Sequence, residues 1–306
     1  MNRKESDKYK TEFWHEYGFF IKEGICQDYE FQDQLSKLLY YETSKTPAGE
    51  LSSLDEYVSR CTPEQKEIYY LCAPNRDLAI TSPYLEGFRD KEVILVYGAI
   101  DDFVLTNLTK YQNRKFVNAE SGNLDLSADN NSKDDPNGKE ASKRKLSDAE
   151  AIEFCDWLKQ TLPDKVEQVK VTNRLDSSPA VVTDHESGAL RRMMRLVDTS
   201  STILGSQELR KQTVEINPYH PVITGLNAVR HIQPDVARVC AEQIFDNCLI
   251  AAGLMDDSRT MLPRLNDLLL SLIKEVEPSQ QDSDELDVKS KSKSNHESTP
   301  TESSAV

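Results

Sequence analysis

Two short, continuous apolar runs constrain the fold of this chain more than any other feature. Residues 68–72 (IYYLC) and 93–97 (VILVY) contain no charged side chain. Runs of this kind are typical of strands that are buried on both faces of a sheet. Helical patterns follow them, at residues 83–89 and from about 101 to 111. Because the order is strand, helix, strand, helix, we predict a right-handed parallel unit and a small three-layer α/β segment.

The residues before these strands have helical periodicity. Apolar and aromatic side chains recur at spacings of mostly three and four residues, which predicts helices with two apolar stripes. The two stripes are Phe13, Tyr17, Phe20 and Ile21, and then Phe31, Leu35, Leu38 and Leu39.

Two stretches have the wrong composition to contribute to a core. Residues 121–145 contain no aromatic residue and few apolar ones, and residues 278–306 are rich in Ser, Lys, Asp and Glu. Such segments bury too little apolar surface to offset the entropy of ordering. We therefore predict folded domains at 1–120 and 146–277, a disordered linker at 121–145 and a disordered tail at 278–306. The fold class is α/β plus α+β.

The second domain is predicted to open with a capping box. The hydroxyl of Ser147 can accept the amide of Glu150, whose carboxylate can return to Ser147. The following helix is predicted to have an apolar face made of Ile152, Cys155, Leu158 and Leu162.

After this helix we predict an antiparallel strand pair, followed by helices. Val169 and Val171 alternate with polar residues, and residues 180–183 (AVVT) follow a proline. Everything beyond Ser187 is predicted to be helical, interrupted by a turn at 215–221 (EINPYHP). There Pro221 suits the first position of a helix that His220 caps.

Charge and cysteine spacing exclude several classes of protein. The formal net charge is −15 and the sequence pI is near 4.9. A surface this acidic repels phosphate backbones and anionic membranes, so we expect neither nucleic acid nor membrane as a partner. The six cysteines include no C-x-x-C pair, so we expect no disulfide framework and no metal site, with thiols reduced inside a cell.

The sequence contains no pattern of catalytic residues. It has no Gly-x-Ser-x-Gly elbow and no glycine-rich phosphate loop, so we expect no enzyme activity and no cofactor in this chain. Cys72 ends an apolar run and is interpreted as a core residue. The acidic pairs at 101–102 and 256–257 precede helical patterns, so N-capping and the helix dipole explain them better than a metal does.

The segment 188–197 (GALRRMMRLV) is a candidate binding surface. On a helix its apolar side chains share one face, and three arginines lie elsewhere. One interpretation is an ordinary amphipathic helix that packs on the protein. The other is an adaptable surface for unfolded polypeptides, since methionine repacks against many shapes. The predicted client-binding residues are Leu190, Met193, Met194 and Val197.

The last two helical patterns predict self-association. The first carries a narrow stripe (Ala237, Ala241, Ile244, Cys248, Ala251) and ends at Gly253 as a cap. The second has apolar residues at alternating spacings of three and four (Leu262, Leu265, Leu269, Leu272, Val276), and Leu268 and Ile273 widen that surface. Pro263 either starts this helix or kinks its first turn. Packing within the chain is the alternative to a dimer, whose predicted contacts are Ile244, Cys248, Ala251, Leu265, Leu268, Leu269 and Leu272.

Several motifs resemble those of a known family. They are residues 38–44 (LLYYETS), 53–60 (SLDEYVSR), 68–70 (IYY), 82–86 (SPYLE), 169–175 (VKVTNRL), 178–179 (SP) and 215–221 (EINPYHP). In this order they resemble the heat-shock protein 90 chaperones. Residues 70–76 (YLCAPNR) and 251–257 (AAGLMDD) are similar to the mitochondrial branch.

The resemblance covers the C-terminal half of the family, from about residue 8 to residue 276. It implies a distal middle-domain segment, a linker and a C-terminal dimerisation domain, with homodimers and unfolded protein clients as partners. ATP and Mg belong to the full-length ATPase, whose nucleotide-binding domain has no match here. Unlike many members, this chain has no tryptophan in segment 188–197.

The resemblance leaves three alternatives for what this chain is. We expect a C-terminal chaperone portion; the others are a truncated regulatory or decoy subunit that pairs with the full-length chaperone, and an incomplete gene model of the full ATPase. We expect the mitochondrial matrix as its location, or the cytoplasm if it is made without a targeting sequence.

Overall fold

The computed structural model describes residues 7–122, 124, 126, 145–185, 188, 191, 209–255 and 257–276. The described residues form two compact units. The first ends at Arg259 and the second begins at Thr260. Within the described residues no helix combines the length and the apolar character that crossing a bilayer requires.

The first half of the chain contains one six-stranded sheet. Its order is β2-β1-β4-β3-β6-β5. The elements are a π-helical turn Tyr9–Phe13, α1 Trp14–Gln27, α2 Gln32–Ser36, β1 Tyr40–Thr43, β2 Ser52–Ser53, α3 Leu54–Arg60, β3 Glu67–Cys72, α4 Arg76–Ile80, a 3-10 turn Pro83–Phe88, β4 Val93–Val96, α5 Ala99–Leu108, β5 Lys110–Tyr111 and β6 Arg114–Asn118.

The parallel unit predicted from the two apolar runs is confirmed. Strand β3 pairs in parallel with β4, with Tyr69 opposite Val93, and it pairs in parallel with β6 on its other edge. The helix predicted at 83–89 is the shorter 3-10 turn, and α5 ends at Leu108, three residues before the predicted end.

Both faces of β3 and β4 are buried, which explains their continuous apolar sequence. Alternate side chains of the two strands enter two separate cores. The first-half core consists of buried residues up to Tyr111, among them Trp14, Ile25, Ile68, Tyr70, Ile94, Val96 and Leu105. The shared core contains Tyr69, Leu71, Val93 and Leu95 together with buried residues of the second half, such as Phe154, Val181 and Ile244.

Most of the first apolar stripe is exposed. Phe13, Tyr17 and Phe20 are between 43% and 64% exposed, whereas Ile21 packs against the first-half core and Trp14 and Ile25 are buried. The helix packs against α5 through the buried side, where a Cβ on Gly18 would lie only 2.9 Å from the Trp14 ring. The small residue lets the indole lie flat on the helix. In the second stripe, Leu39 is fully buried and Phe31 is 47% exposed.

The second half contains a three-stranded sheet of order β7-β9-β8. The elements are α6 Asp148–Thr161, β7 Val166–Val171, β8 Ala180–Thr183, β9 Gln212–Ile216, α7 Pro221–Val229, α8 Pro234–Ala251, a 3-10 turn Ser258–Met261 and α9 Leu262–Val276. Strand β9 pairs in parallel with β7 and antiparallel with β8.

Two predictions for this half were wrong because β9 was missed. Strands β7 and β8 are not neighbours, since β9 lies between them, and residues beyond 187 are not all helical. The strand has the sequence QTVEI, and with three polar or charged residues out of five it lacks the apolar pattern that predicts a buried strand. Gln212 and Glu215 are both buried, and the carboxylate of Glu215 lies 2.9 Å from the guanidinium of Arg174.

The helix ends follow their predicted chemistry. Ser147 and Glu150 form the capping box of α6. His220 caps α7, since its Nδ1 accepts the amide of Val222 at 3.1 Å, and Pro221 is the first residue of that helix. Helix α8 ends before Gly253, whose φ of 64° is the left-handed conformation that glycine adopts at low cost.

The shared core includes a residue from the predicted linker. Leu126, within residues 121–145, is buried in it. Residues 127–144, most of the predicted linker, lie outside the described residues, as does the predicted tail. The division into domains at these boundaries stays a prediction.

The two apolar side chains Phe154 and Ile152 of α6 provide a matched test of the fold. Phe154 is fully buried, whereas Ile152, on the predicted apolar face, is 65% exposed. We expect Phe154→Ala to lower the free energy of unfolding by about 3–5 kcal/mol, because it leaves a cavity in the shared core. Ile152→Ala should change it by less than about 0.5 kcal/mol. Urea denaturation followed by circular dichroism measures both, and equal losses would contradict the placement of α6.

Candidate functional site

The first turn of helix α9 contains the proline whose role the sequence left ambiguous. The α-helix starts at Leu262, directly after the 3-10 turn, so Pro263 is its second residue. The missing N–H of a proline removes no helical hydrogen bond in the first turn. Pro263 therefore marks the start of the helix, as one of the two alternatives predicted.

Large apolar side chains of α9 are exposed to solvent. Five of them, Leu262, Leu269, Leu270, Leu272 and Ile273, are between 53% and 60% exposed, and Leu265 and Leu268 are half-buried. The spacing of Leu262, Leu265, Leu269 and Leu272 aligns them along one side of the helix. On the other side, the hydroxyl of Ser271 donates to the carbonyl of Asp267 at 2.9 Å. The helix is therefore amphipathic.

One exposed leucine of α9, Leu270, belongs neither to the predicted stripe nor to the predicted contacts. Leu270 extends the apolar surface to the side of the predicted seam. A signal for it was present, since three consecutive leucines at 268–270 cover roughly 200° of a helix turn. Leucines that span this angle form a wider apolar surface than a single stripe along one side of the helix.

The predicted stripe of α8 is covered by its own chain. Ala237, Ala241, Ile244 and Cys248 lie in the shared core, where α8 packs against β8 and α7. The small alanines allow this close approach to the sheet. Burial raises the pKa of the Cys248 thiol to about 12, so it is neutral at physiological pH. Ala251, at the end of the helix, is exposed.

The predicted dimerisation residues fall into two groups and one exception. Ile244 and Cys248 have little surface left for a second chain, whereas Leu265, Leu268, Leu269 and Leu272 lie on the amphipathic helix α9. The exception, Ala251, is exposed on α8, so the large exposed apolar side chains of this predicted set lie on α9. The contribution of each residue to a dimer stays a prediction.

The predicted client-binding residues Leu190, Met193, Met194 and Val197 lie outside the described residues. Gly188, which precedes them, is described. A Cβ at this position would lie 2.6 Å from the carbonyl oxygen of Gly253 and 3.0 Å from that of Ala252. Because a side chain would collide with the backbone there, only glycine fits at position 188, beside the end of α8.

The acidic pair on α5 has a structural role. Asp101 and Asp102 are buried in the first turn of the helix, where negative charge favours the helix dipole. Asp101 pairs with the ammonium of Lys22 on α1 at 2.6 Å. The residue at the N-cap is Gly98, so the capping prediction was wrong, although the position near the dipole was right.

Cys72 and the second acidic pair, at 256–257, were the other residues considered for chemistry. Of these, Cys72 and Asp257 lie in different parts of the fold. Cys72 is half-buried against the first-half core. In the second acidic pair, Asp257 binds the side chain of Arg259, and Asp256 lies outside the described residues. No cluster of three or more His, Cys, Asp or Glu side chains in the described ranges could hold a metal ion.

Two sheets joined by a shared core, with an amphipathic terminal helix, define a mixed α/β protein. Comparison with known proteins identifies its family. The family model for Hsp90 protein matches residues 1–302. The rat heat shock protein 75 kDa, mitochondrial, is 38% identical over 277 residues, which cover 89% of this chain and 39% of the rat protein.

Other relatives come from a slime mould and a bacterium. The TNF receptor-associated protein 1 homolog, mitochondrial, of Dictyostelium discoideum is 40% identical over 85% of this chain and 36% of its own length. The chaperone protein HtpG of Desulfitobacterium hafniense is 39% identical over 84% of this chain and 41% of its own length. The chain belongs to the Hsp90 family, and it spans about two-fifths of the length of these relatives.

Proposed function

We propose that this chain works as part of an Hsp90-type chaperone, in which α9 joins two copies and segment 188–197 binds unfolded polypeptides. The observation that carries the proposal is the set of five large apolar side chains on α9 that are more than half exposed. Membership of the Hsp90 family supports the same assignment. The proposal includes a location in the mitochondrial matrix, supported by the names of two relatives and testable by cell fractionation.

The energetics of α9 favour a second copy as its partner. Burying a leucine that was exposed to water contributes about 1.5–3 kcal/mol. Several such residues on one helix therefore offset the entropic cost of association. In a two-fold dimer the same surface is used twice, so a single helix supplies both halves of a self-complementary seam.

The dimer proposal predicts a difference between two single aspartate substitutions on α9. Leu269→Asp should shift the protein to monomer at tens of micromolar, because it places a charge in an apolar seam. Ser271→Asp adds the same charge two residues away, on the polar side, and should leave the dimer intact. Size-exclusion chromatography with light scattering measures the mass of each.

The double variant Leu269→Asp with Leu272→Asp tests whether the effect is confined to association. Its circular dichroism should show both sheets still folded. If the unsubstituted chain is itself a monomer at this concentration, or if both single variants dissociate equally, α9 is not a dimer seam.

The client proposal predicts a loss of holding activity without a change in assembly. Met193→Ser with Met194→Ser should weaken the suppression of aggregation of a chemically unfolded protein, because it removes the adaptable apolar contacts. Light scattering follows aggregation, and sedimentation confirms the oligomeric state. If suppression is unchanged, the segment is an ordinary packing helix.

We further propose that this chain binds neither ATP nor Mg. The absence of a glycine-rich phosphate loop from the sequence supports this. Titration calorimetry with millimolar ATP and Mg should give no binding heat. A separate phosphate assay on the same mixture should show no phosphate release. Saturable heat would show a nucleotide site that the sequence pattern does not reveal.

A further inference from the structure

A carboxylate of the first half is bound by the turn at residues 176–178 of the second half. Glu86, on the 3-10 turn Pro83–Phe88, accepts the amides of Asp176, Ser177 and Ser178 at 2.6, 3.1 and 3.4 Å. It also accepts the hydroxyls of Ser177 and Ser178, both at 2.7 Å. Five donors of one short turn therefore converge on a single side chain.

The opposite side of this turn is fixed by the second half itself. The side-chain amide of Asn217 donates to the carbonyls of Leu175, Asp176 and Ser178, each at 3.3 Å. Asn217 is buried directly after β9. With the carbonyls held from behind, the amides and hydroxyls face outwards, so the turn is preorganised for an anion.

The protonation of Glu86 is consistent with a bound carboxylate. Partial burial raises the pKa of its carboxyl, but the amide of Asp176 and the hydroxyls of Ser178 and Ser177 lower it by more. The net pKa lies below the ordinary value of a glutamate, as expected when hydrogen bonds favour the charged form.

Contacts beside the turn connect the same two halves. Buried Arg174 donates to the carbonyls of Ala119 and Ser121, both at 3.1 Å, and pairs with Glu215 on β9. The hydroxyl of Tyr84 donates to the carbonyl of Val182 at 2.5 Å. The motifs at 82–86 and 215–221 therefore both contact the turn at 176–178. Glu86 of the first motif supplies the carboxylate, and Asn217 of the second holds the turn that binds it.

We propose that the turn at 176–178 is a carboxylate receptor whose ligand is Glu86 of the same chain, and that this pair fixes the orientation of the two halves. The receptor recognises two oxygens of one planar anion, since one oxygen takes the amides and the other takes the hydroxyls. A free carboxylate such as acetate has the same two oxygens.

The test uses the full chain with Glu86→Ala and acetate as the probe. Emptying the receptor should accelerate hydrogen exchange at the amides of Asp176 and Ser177 by roughly tenfold or more, because their acceptor is gone. Adding acetate should restore protection, whereas chloride at the same ionic strength should not. Glu64→Ala removes an exposed carboxylate of the same half and should leave exchange unchanged.

A distance measurement tests the orientation. Thr62 and Glu167 are both exposed and can each be replaced by a keto-bearing unnatural amino acid that carries a spin label. The distance between the two labels reports the separation of the two halves. Glu86→Ala should broaden the distance distribution and acetate should narrow it. If Glu86→Ala destabilises the fold, Ser177→Ala with Ser178→Ala keeps the amides and should give a smaller change in the same direction.

Three outcomes would overturn the proposal. Unchanged exchange in Glu86→Ala would show that the turn does not depend on its ligand. Faster exchange without rescue by acetate would show that the turn is not a carboxylate receptor. If acetate restores protection from exchange but the distance distribution stays the same in the unsubstituted chain, in Glu86→Ala and after acetate is added, the pair does not set the orientation.

Discussion

The shared apolar core is the constraint on which the rest of the first unit depends. It takes one face of β3 and β4 from the first half, and the inner surfaces of α6, β8 and α8 from the second. Because α8 uses its small-residue stripe for this packing, Ile244 and Cys248 are already covered. Of the two helices whose patterns predict self-association, α9 is the one with five large apolar side chains more than half exposed, so self-association is proposed for one helix and not for two.

Polar contacts complement this core where the two halves meet. Apolar burial is not directional, so it holds the halves together without fixing their angle. Hydrogen bonds have strict geometry, and Glu86 with its five donors supplies a directional contact at the same joint. Buried Arg174 adds an ion pair with Glu215, on the strand that lies in the middle of the second sheet.

Local chemistry was predictable from sequence, and long-range chemistry was not. The capping box at Ser147 and the His220 cap need only neighbouring residues. The parallel strands were predictable because burial on both faces leaves a continuous apolar run. Strand β9 was not, since its buried Glu215 is stabilised by Arg174, 41 positions earlier in the chain. The apolar stripe of α1 was visible in the sequence, but the buried side of the helix was not, because the pattern cannot show that Gly18 makes room for Trp14.

We propose that a second copy of this chain covers α9, and membership of the Hsp90 family supports this. Photo-crosslinking from a benzoylphenylalanine at Leu269 probes the contact itself, because the probe reacts only with groups that it touches. The expected result is a covalent product of twice the 34.8 kDa chain mass, with α9 of one copy joined to α9 of the other. Products joined only within one chain would show that no second copy covers the helix.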